Sequence, residues 1–164
     1  MKLKEAYTYY KKHILNENKR KLFAQYSFPP NGMISSQDWE LFAAILFNKK
    51  KQSQGSDLGE YEIKSAKKGS SFEYQYHKNC GLKKLAEDQK VNHVYISYDN
   101  NYEDIIVRKI AGKKLSPLMQ EWKQELDINY KSGKQRFRKN IPYTFVIKNA
   151  EIIFMTKNGK VEKE

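Results

Sequence analysis

The chain has a single cysteine, Cys80, so no intrachain disulfide can form. Set between Asn79 and Gly81, this thiol has no second cysteine to help it hold zinc, and it reads as structural. A reducing, cytoplasmic compartment fits such cysteine usage. Long apolar runs are also missing. No stretch approaches the roughly 20 residues of a membrane span. The N-terminus carries no signal-peptide core. No amphipathic helix offers the large apolar face that membrane-surface binding needs. Internal repeats and long low-complexity tracts are absent as well. Acidic side chains are scarce relative to basic ones: 19 Asp and Glu against 31 Lys and Arg, a formal net charge of +12. That excess favours a polyanionic partner, with nucleic acid first. A Lys-rich surface on an ordinary soluble protein would give the same balance.

What is present suffices for a real core. The 164 residues are 39% hydrophobic and 13% aromatic, which predicts one folded domain. Residues 2–26 have helical spacing of Leu3, Ala6, Tyr7, Tyr10, Ile14, Leu15, Leu22, Phe23 and Tyr26. Phe28-Pro29-Pro30-Asn31-Gly32 stops that helix. Ser35 with Asp38 three residues on forms a capping box for a second, apolar helix, closed by Lys49-Lys50-Lys51. A polar loop at 52–56 leads to a strand at 60–65, and 67–71 reads as a turn. Phe72–His77 alternates as a short strand or extended loop, 81–90 suits a helix, and 91–98 with 104–110 reads as a hairpin. Ser116 and Pro117 open a helix running through Leu126. Residues 131–140 read as a basic loop, 142–149 and 151–155 as late strands, and 157–164 as a frayed tail. The result is an α+β fold, a mixed sheet flanked by helices, with residues 1–156 as one domain.

The segment that carries chemistry is Gly55-Ser56-Asp57-Leu58-Gly59-Glu60-Tyr61-Glu62-Ile63-Lys64-Ser65. Strand alternation puts Glu60, Glu62 and Lys64 on one face and Tyr61 and Ile63 on the other. Carboxylates beside an ammonium are what metal-assisted phosphodiester cleavage needs. The acids hold a hard divalent cation, and the lysine positions or activates water. Glu-x-Lys occurs three times, at Glu17, Glu62 and Glu121. Only the second has strand alternation and an upstream aspartate. By pattern alone it reads equally as an active-site strand or as a charged edge strand.

These residues resemble the PD-(D/E)xK nucleases, and within them the small PvuII-like type II restriction endonucleases. Gly55-Ser56-Asp57 resembles the segment carrying the family's first metal-binding aspartate, and Glu60 through Ser65 its Glu-Tyr-Glu-Leu-Lys-Ser strand. Phe72–His77 with Asn79 resembles the stretch that lays polar side chains into the major groove. Residues 91–98 resemble the next core strand, and Ile141-Pro142 the C-terminal segment, so that order and spacing agree over residues 37–155. Two departures stand out. Only four residues separate Asp57 from Glu62, fewer than in the family, which demands a tight turn and leaves Glu60 as the substitute ligand. The family's histidine cluster is replaced by Tyr74-Gln75-Tyr76-His77-Lys78-Asn79, so no recognition sequence carries over.

The resemblance implies a restriction-endonuclease-like core and a site-specific deoxyribonuclease that hydrolyses double-stranded DNA with Mg2+, Mn2+ being able to substitute. Asp57 and Glu62 would hold the metal, with the backbone carbonyl of Ile63, and Lys64 would orient water. No small-molecule cofactor and no membrane is called for. Base reading falls to Gln75, Tyr76, His77, Lys78 and Asn79, and to Lys134, Arg136 and Arg138, the two arginines being the better guanine readers. His77 reads equally as a structural histidine, and the basic loop as a binder of phosphates alone. A palindromic site implies a homodimer, with the Tyr-rich stripe Tyr7, Tyr10 and Ile14 of residues 1–26 as its interface or as packing on its own chain. A Holliday junction resolvase, a non-catalytic DNA-binding module and a basic RNA- or ribosome-associated protein are the rival readings.

Overall fold

The computed structural model describes residues 1–53 and 55–163. Gln54, inside the loop expected at 52–56, and Glu164, the last residue of the expected tail, lie outside the described residues. The N-terminal segment is two helices rather than one. α1 (Leu3–Tyr9) runs into a π-helical turn, Tyr10–Ile14, and α2 (Glu17–Gln25) restarts after it. The restart is set by Asn16, whose side chain accepts the Lys19 N–H at 3.0 Å. α3 (Ser36–Phe47) begins at the predicted capping box, with Ser35 and Asp38 bonded reciprocally, and stops at Asn48 in the left-handed region.

β1 (Tyr61–Lys67), β2 (Phe72–His77), α4 (Gly81–Asp88), β3 (Asn92–Tyr98) and β4 (Ile105–Ala111) follow. Then come α5 (Gly112–Lys131), β5 (Arg136–Ile141), α6 (Tyr143–Asn149), β6 (Glu151–Lys157) and β7 (Lys160–Lys163). Four of these differ from expectation. α5 starts at Gly112, so Pro117 lies inside it rather than at its first position. The basic loop is in part strand β5, because its backbone pairs with β2. The predicted strand at 142–149 is α6, which Pro142 opens and the buried Val146 anchors. The expected tail turns at Asn158-Gly159 and pairs back on β6 as β7.

Five strands form a mixed sheet in the order β1-β3-β4-β6-β7, with β1 parallel to β3 and the other pairs antiparallel. β2 and β5 form a separate two-stranded antiparallel ribbon. Alternation along β3 divides the core. Val94 and Ile96 join one cluster with Tyr10, Ile14, Trp39 and Phe42. Tyr95 joins the other, with Phe72, Tyr74, Tyr76, Leu115 and Trp122. Helices therefore cover both faces of the sheet in a single domain. Tyr10 and Ile14 are wholly buried in this chain's own core, and Tyr7 donates its hydroxyl proton to the Gly159 carbonyl. The stripe expected at a dimer interface is thus consumed within the chain. Gly112 fixes the start of α5 against the α4–β3 connection. A Cβ there would sit 2.4 Å from the Val91 carbonyl oxygen, closer than any side chain tolerates. Among the described residues, no helix is long and apolar enough to cross a membrane.

Candidate active site

The site begins with the turn before β1. Gly59 takes a φ of +76°, and the Ser56 hydroxyl donates to its carbonyl. Leu58 is buried in the core, which pins the turn. The turn swings Asp57 back over the open edge of β1, where its Oδ2 accepts the Ile63 N–H at 2.9 Å. The short spacing from Asp57 to Glu62 is closed in this way. Asp57, Ile63 and Lys64 line one cavity of about 290 Å3, together with Ser36, Glu40 and Glu73. Glu60, the substitute ligand, instead points to the surface and pairs with Lys49 at 3.1 Å.

Glu62 lies opposite His93 and Lys64 opposite Tyr95, so both acid and lysine face the second core cluster. Glu62 is 3% exposed, and each of its oxygens meets an ammonium. Lys64 Nζ is 2.8 Å from Oε1, and Lys84 Nζ, from α4, is 2.5 Å from Oε2. Lys64 also lies over the Tyr74 ring, 4.8 Å from its centroid. Lys84 has a second acceptor, Asp88 Oδ1, at 2.8 Å, and Asp88 Oδ2 accepts the Tyr76 hydroxyl at 2.9 Å. Burial pushes the Glu62 carboxyl up, but Lys64 and Lys84 more than offset it and hold it below the usual carboxylate range. Asp57 goes the other way. Burial raises it, and the nearby Glu62 charge adds to the rise.

Asp88 is raised to about 6, by burial first and by Glu62 second. His93 is lowered to about 4 by burial. Its Nε2 donates to the Asp88 carbonyl at 2.6 Å and its Nδ1 accepts the Tyr74 hydroxyl at 2.7 Å, a set of partners that suits the neutral ring. Linkage gives the two groups opposite signs. Between about 4 and 6.5 the unfolded chain binds the His93 proton and the folded chain does not, so stability falls as pH drops. Between 3.8 and about 6 the folded chain holds the Asp88 proton, so stability rises as pH drops. The two offset each other in the wild type. Asp88→Asn removes one of them. Its stability should fall by about 2 kcal/mol more than the wild type's over pH 6.5 to 4, by chemical denaturation. Equal pH slopes in the two proteins would contradict the raised pKa of Asp88.

The ribbon brings the other predicted residues together. Gln75 pairs across from Arg138 and His77 from Arg136, while Glu73 faces Asn140. Directly opposed residues share a face, and all but the half-buried Gln75 are exposed. Lys78 and Asn79 are exposed in the turn after β2, and Lys134 is exposed just before β5. Tyr76 does not belong with them. It is 1% exposed, on the opposite face of β2, with its hydroxyl bonded to Asp88.

No protein-family model matches this chain, and no curated protein matches it significantly. Among the described residues, no group of three or more His, Cys, Asp or Glu side chains is placed to hold a metal ion. Asp57, Glu62 and the Ile63 carbonyl offer oxygen donors of the kind Mg2+ takes, a hard cation that uses one or two carboxylates and leaves its other positions to water and phosphate. Sequence reasoning missed Glu40, Glu73, Lys84 and Asp88. Glu40 had a signal, as the one acid in the otherwise apolar run Trp39–Phe47; it lines the cavity and pairs with Lys51. Lys84 and Asp88 had none, because an i,i+4 pair on a helix ordinarily reads as solvated surface.

Proposed function

We propose that this protein is a Mg2+-dependent, site-specific deoxyribonuclease with a restriction-endonuclease-like core, acting on double-stranded DNA as a homodimer. One observation carries the reading. Glu73 lies on the exposed face of the ribbon and also lines the cavity that holds Asp57 and Lys64. A surface suited to reading bases therefore adjoins a site suited to cutting phosphodiesters.

Asp57, Glu62 and the Ile63 carbonyl would hold Mg2+, with Mn2+ able to substitute. When bound, the cation supplies Lewis-acid polarisation of the phosphate and a lowered pKa for attacking water. Lys64 orients the nucleophile and steadies the charge that develops on the phosphate. Glu62 and the Tyr74 ring hold that ammonium in place before substrate arrives. The ribbon enters the major groove, which admits a two-stranded β-element. Arg136 and Arg138 match guanine, and Gln75 matches adenine. Lys78, Asn79 and Lys134, at the ribbon's turn end, meet backbone or flanking bases. The excess of positive charge draws the duplex in.

A palindromic site requires a two-fold protein. The interface would involve the exposed apolar residues at the end of residues 1–26 and just beyond, Leu22, Tyr26 and Phe28. Binding in Ca2+ separates the readings. The expected result is a dimer on linear duplex, competed weakly by a four-way junction and by RNA. Preference for the junction would move the protein to the resolvases, and preference for RNA would remove the nuclease reading.

A further inference from the structure

Lys84 occupies a position that the proposed chemistry leaves unexplained. Its ammonium stands on Glu62 Oε2, where a divalent cation would bind, and Lys64 already stands on Oε1. With an ammonium on each oxygen, a metal that takes Glu62 competes with one of them. Lys64 has no second acidic partner among the ion pairs of the described residues, whereas Lys84 does. Asp88 Oδ1 is already 2.8 Å away, and the Tyr76 hydroxyl holds the other Asp88 oxygen in place. Lys84 also has room to move. It is half-buried, and it borders a second cavity of about 410 Å3, lined with Gln75, His77, Cys80 and Glu87.

Resting on the nuclease reading above, we propose that Lys84 is an exchangeable internal cation. It neutralises buried Glu62 while no metal is bound, and it passes to Asp88 when a divalent ion takes Glu62. A buried carboxylate is costly without counter-ions, and in the metal-free fold Lys84 shares that task with Lys64. A divalent ion added to the two ammoniums already on Glu62 would crowd four positive charges around one carboxylate, so metal entry expels one of them. Asp88 makes the exchange affordable, because the displaced ammonium stays paired rather than buried alone. Lys84 is therefore a positioning residue that sets the metal affinity of the site and touches neither metal nor DNA.

The test is calorimetric titration of Mn2+ into the DNA-free protein. Lys84→Met should bind Mn2+ about tenfold more tightly than the wild type, because the competing ammonium is gone. Asp88→Asn should bind it more weakly, because the displaced lysine has nowhere to go. The double variant Lys84→Met/Asp88→Asn removes one charge of each sign, and it covers the case in which the single variant does not fold. It should still bind more tightly than the wild type, which a mere change in net charge would not produce. Glu62→Gln serves as the loss control. If wild-type binding depends on Glu62 but neither Lys84 variant tightens it, the exchange is refuted and the nuclease reading stands. If no protein binds Mn2+ in a Glu62-dependent way, the nuclease reading fails and the exchange fails with it.

Discussion

Lys64→Ala should keep the fold and lose DNA cleavage by at least about a hundredfold. The size follows from what one pre-placed charge-stabilising group contributes to a transition state, on the order of 10²–10³ in rate. The structure explains why the fold should survive. Lys64 lies at the rim of the cavity, and truncating it leaves Glu62 still paired with Lys84. The buried carboxylate keeps a counter-ion, so the larger penalty for an unpaired buried charge is avoided. Single-turnover cleavage beside thermal melting separates the two effects. A variant that cleaves at more than a tenth of the wild-type rate would remove Lys64 from the chemistry. Loss of both activity and cooperative melting would make it structural.

The second large effect concerns the ribbon. Arg138→Ala and Arg136→Ala should each weaken DNA binding by about 1–3 kcal/mol and relax the sequence preference at one position. Lys134→Ala should lower affinity evenly across sequences and reduce the salt slope by about one. The distinction follows from placement. The arginines stand on the ribbon face opposite His77 and Gln75, whereas Lys134 lies outside the strand. Arg138 also comes within 4.0 Å of Glu73, whose carboxylate borders the cavity. Binding in Ca2+ at several salt concentrations, on matched and single-mismatch duplexes, reads both quantities. Uniform losses for all three variants would make the ribbon a phosphate-binding surface without sequence preference.

Much of the site was legible because it is local. The capping box at Ser35 placed α3, and the alternation of Glu62, Ile63 and Lys64 placed β1 with its charged face turned to one side. The Gly-containing turn brought Asp57 alongside, as its short spacing required. The hairpin of β3 and β4 was likewise carried by its own apolar residues. What was missed depends on distant partners. In β5, Phe137 and Ile141 face inward, but Arg136, Arg138, Lys139 and Asn140 conceal that pattern, and the pairing strand β2 lies far upstream. Thr144, Val146 and Ile147 favour a strand by propensity, yet α6 forms, with Val146 buried against the second core cluster. Tyr76 was readable in principle. Phe72, Tyr74 and Tyr76 alternate with Glu73, Gln75 and His77, which already assigns Tyr76 to the inner face. The burial of Lys84 and Asp88 had no sequence signal, because it arises from where α4 docks.

The most direct test is incubation with Mg2+ and long unmethylated DNA pooled from several genomes, beside Lys64→Ala. Discrete fragments with common ends from the wild type alone are the expected result. DNA left intact across the whole pool, or the same fragments from both proteins, would contradict a site-specific nuclease built on Asp57, Glu62 and Lys64.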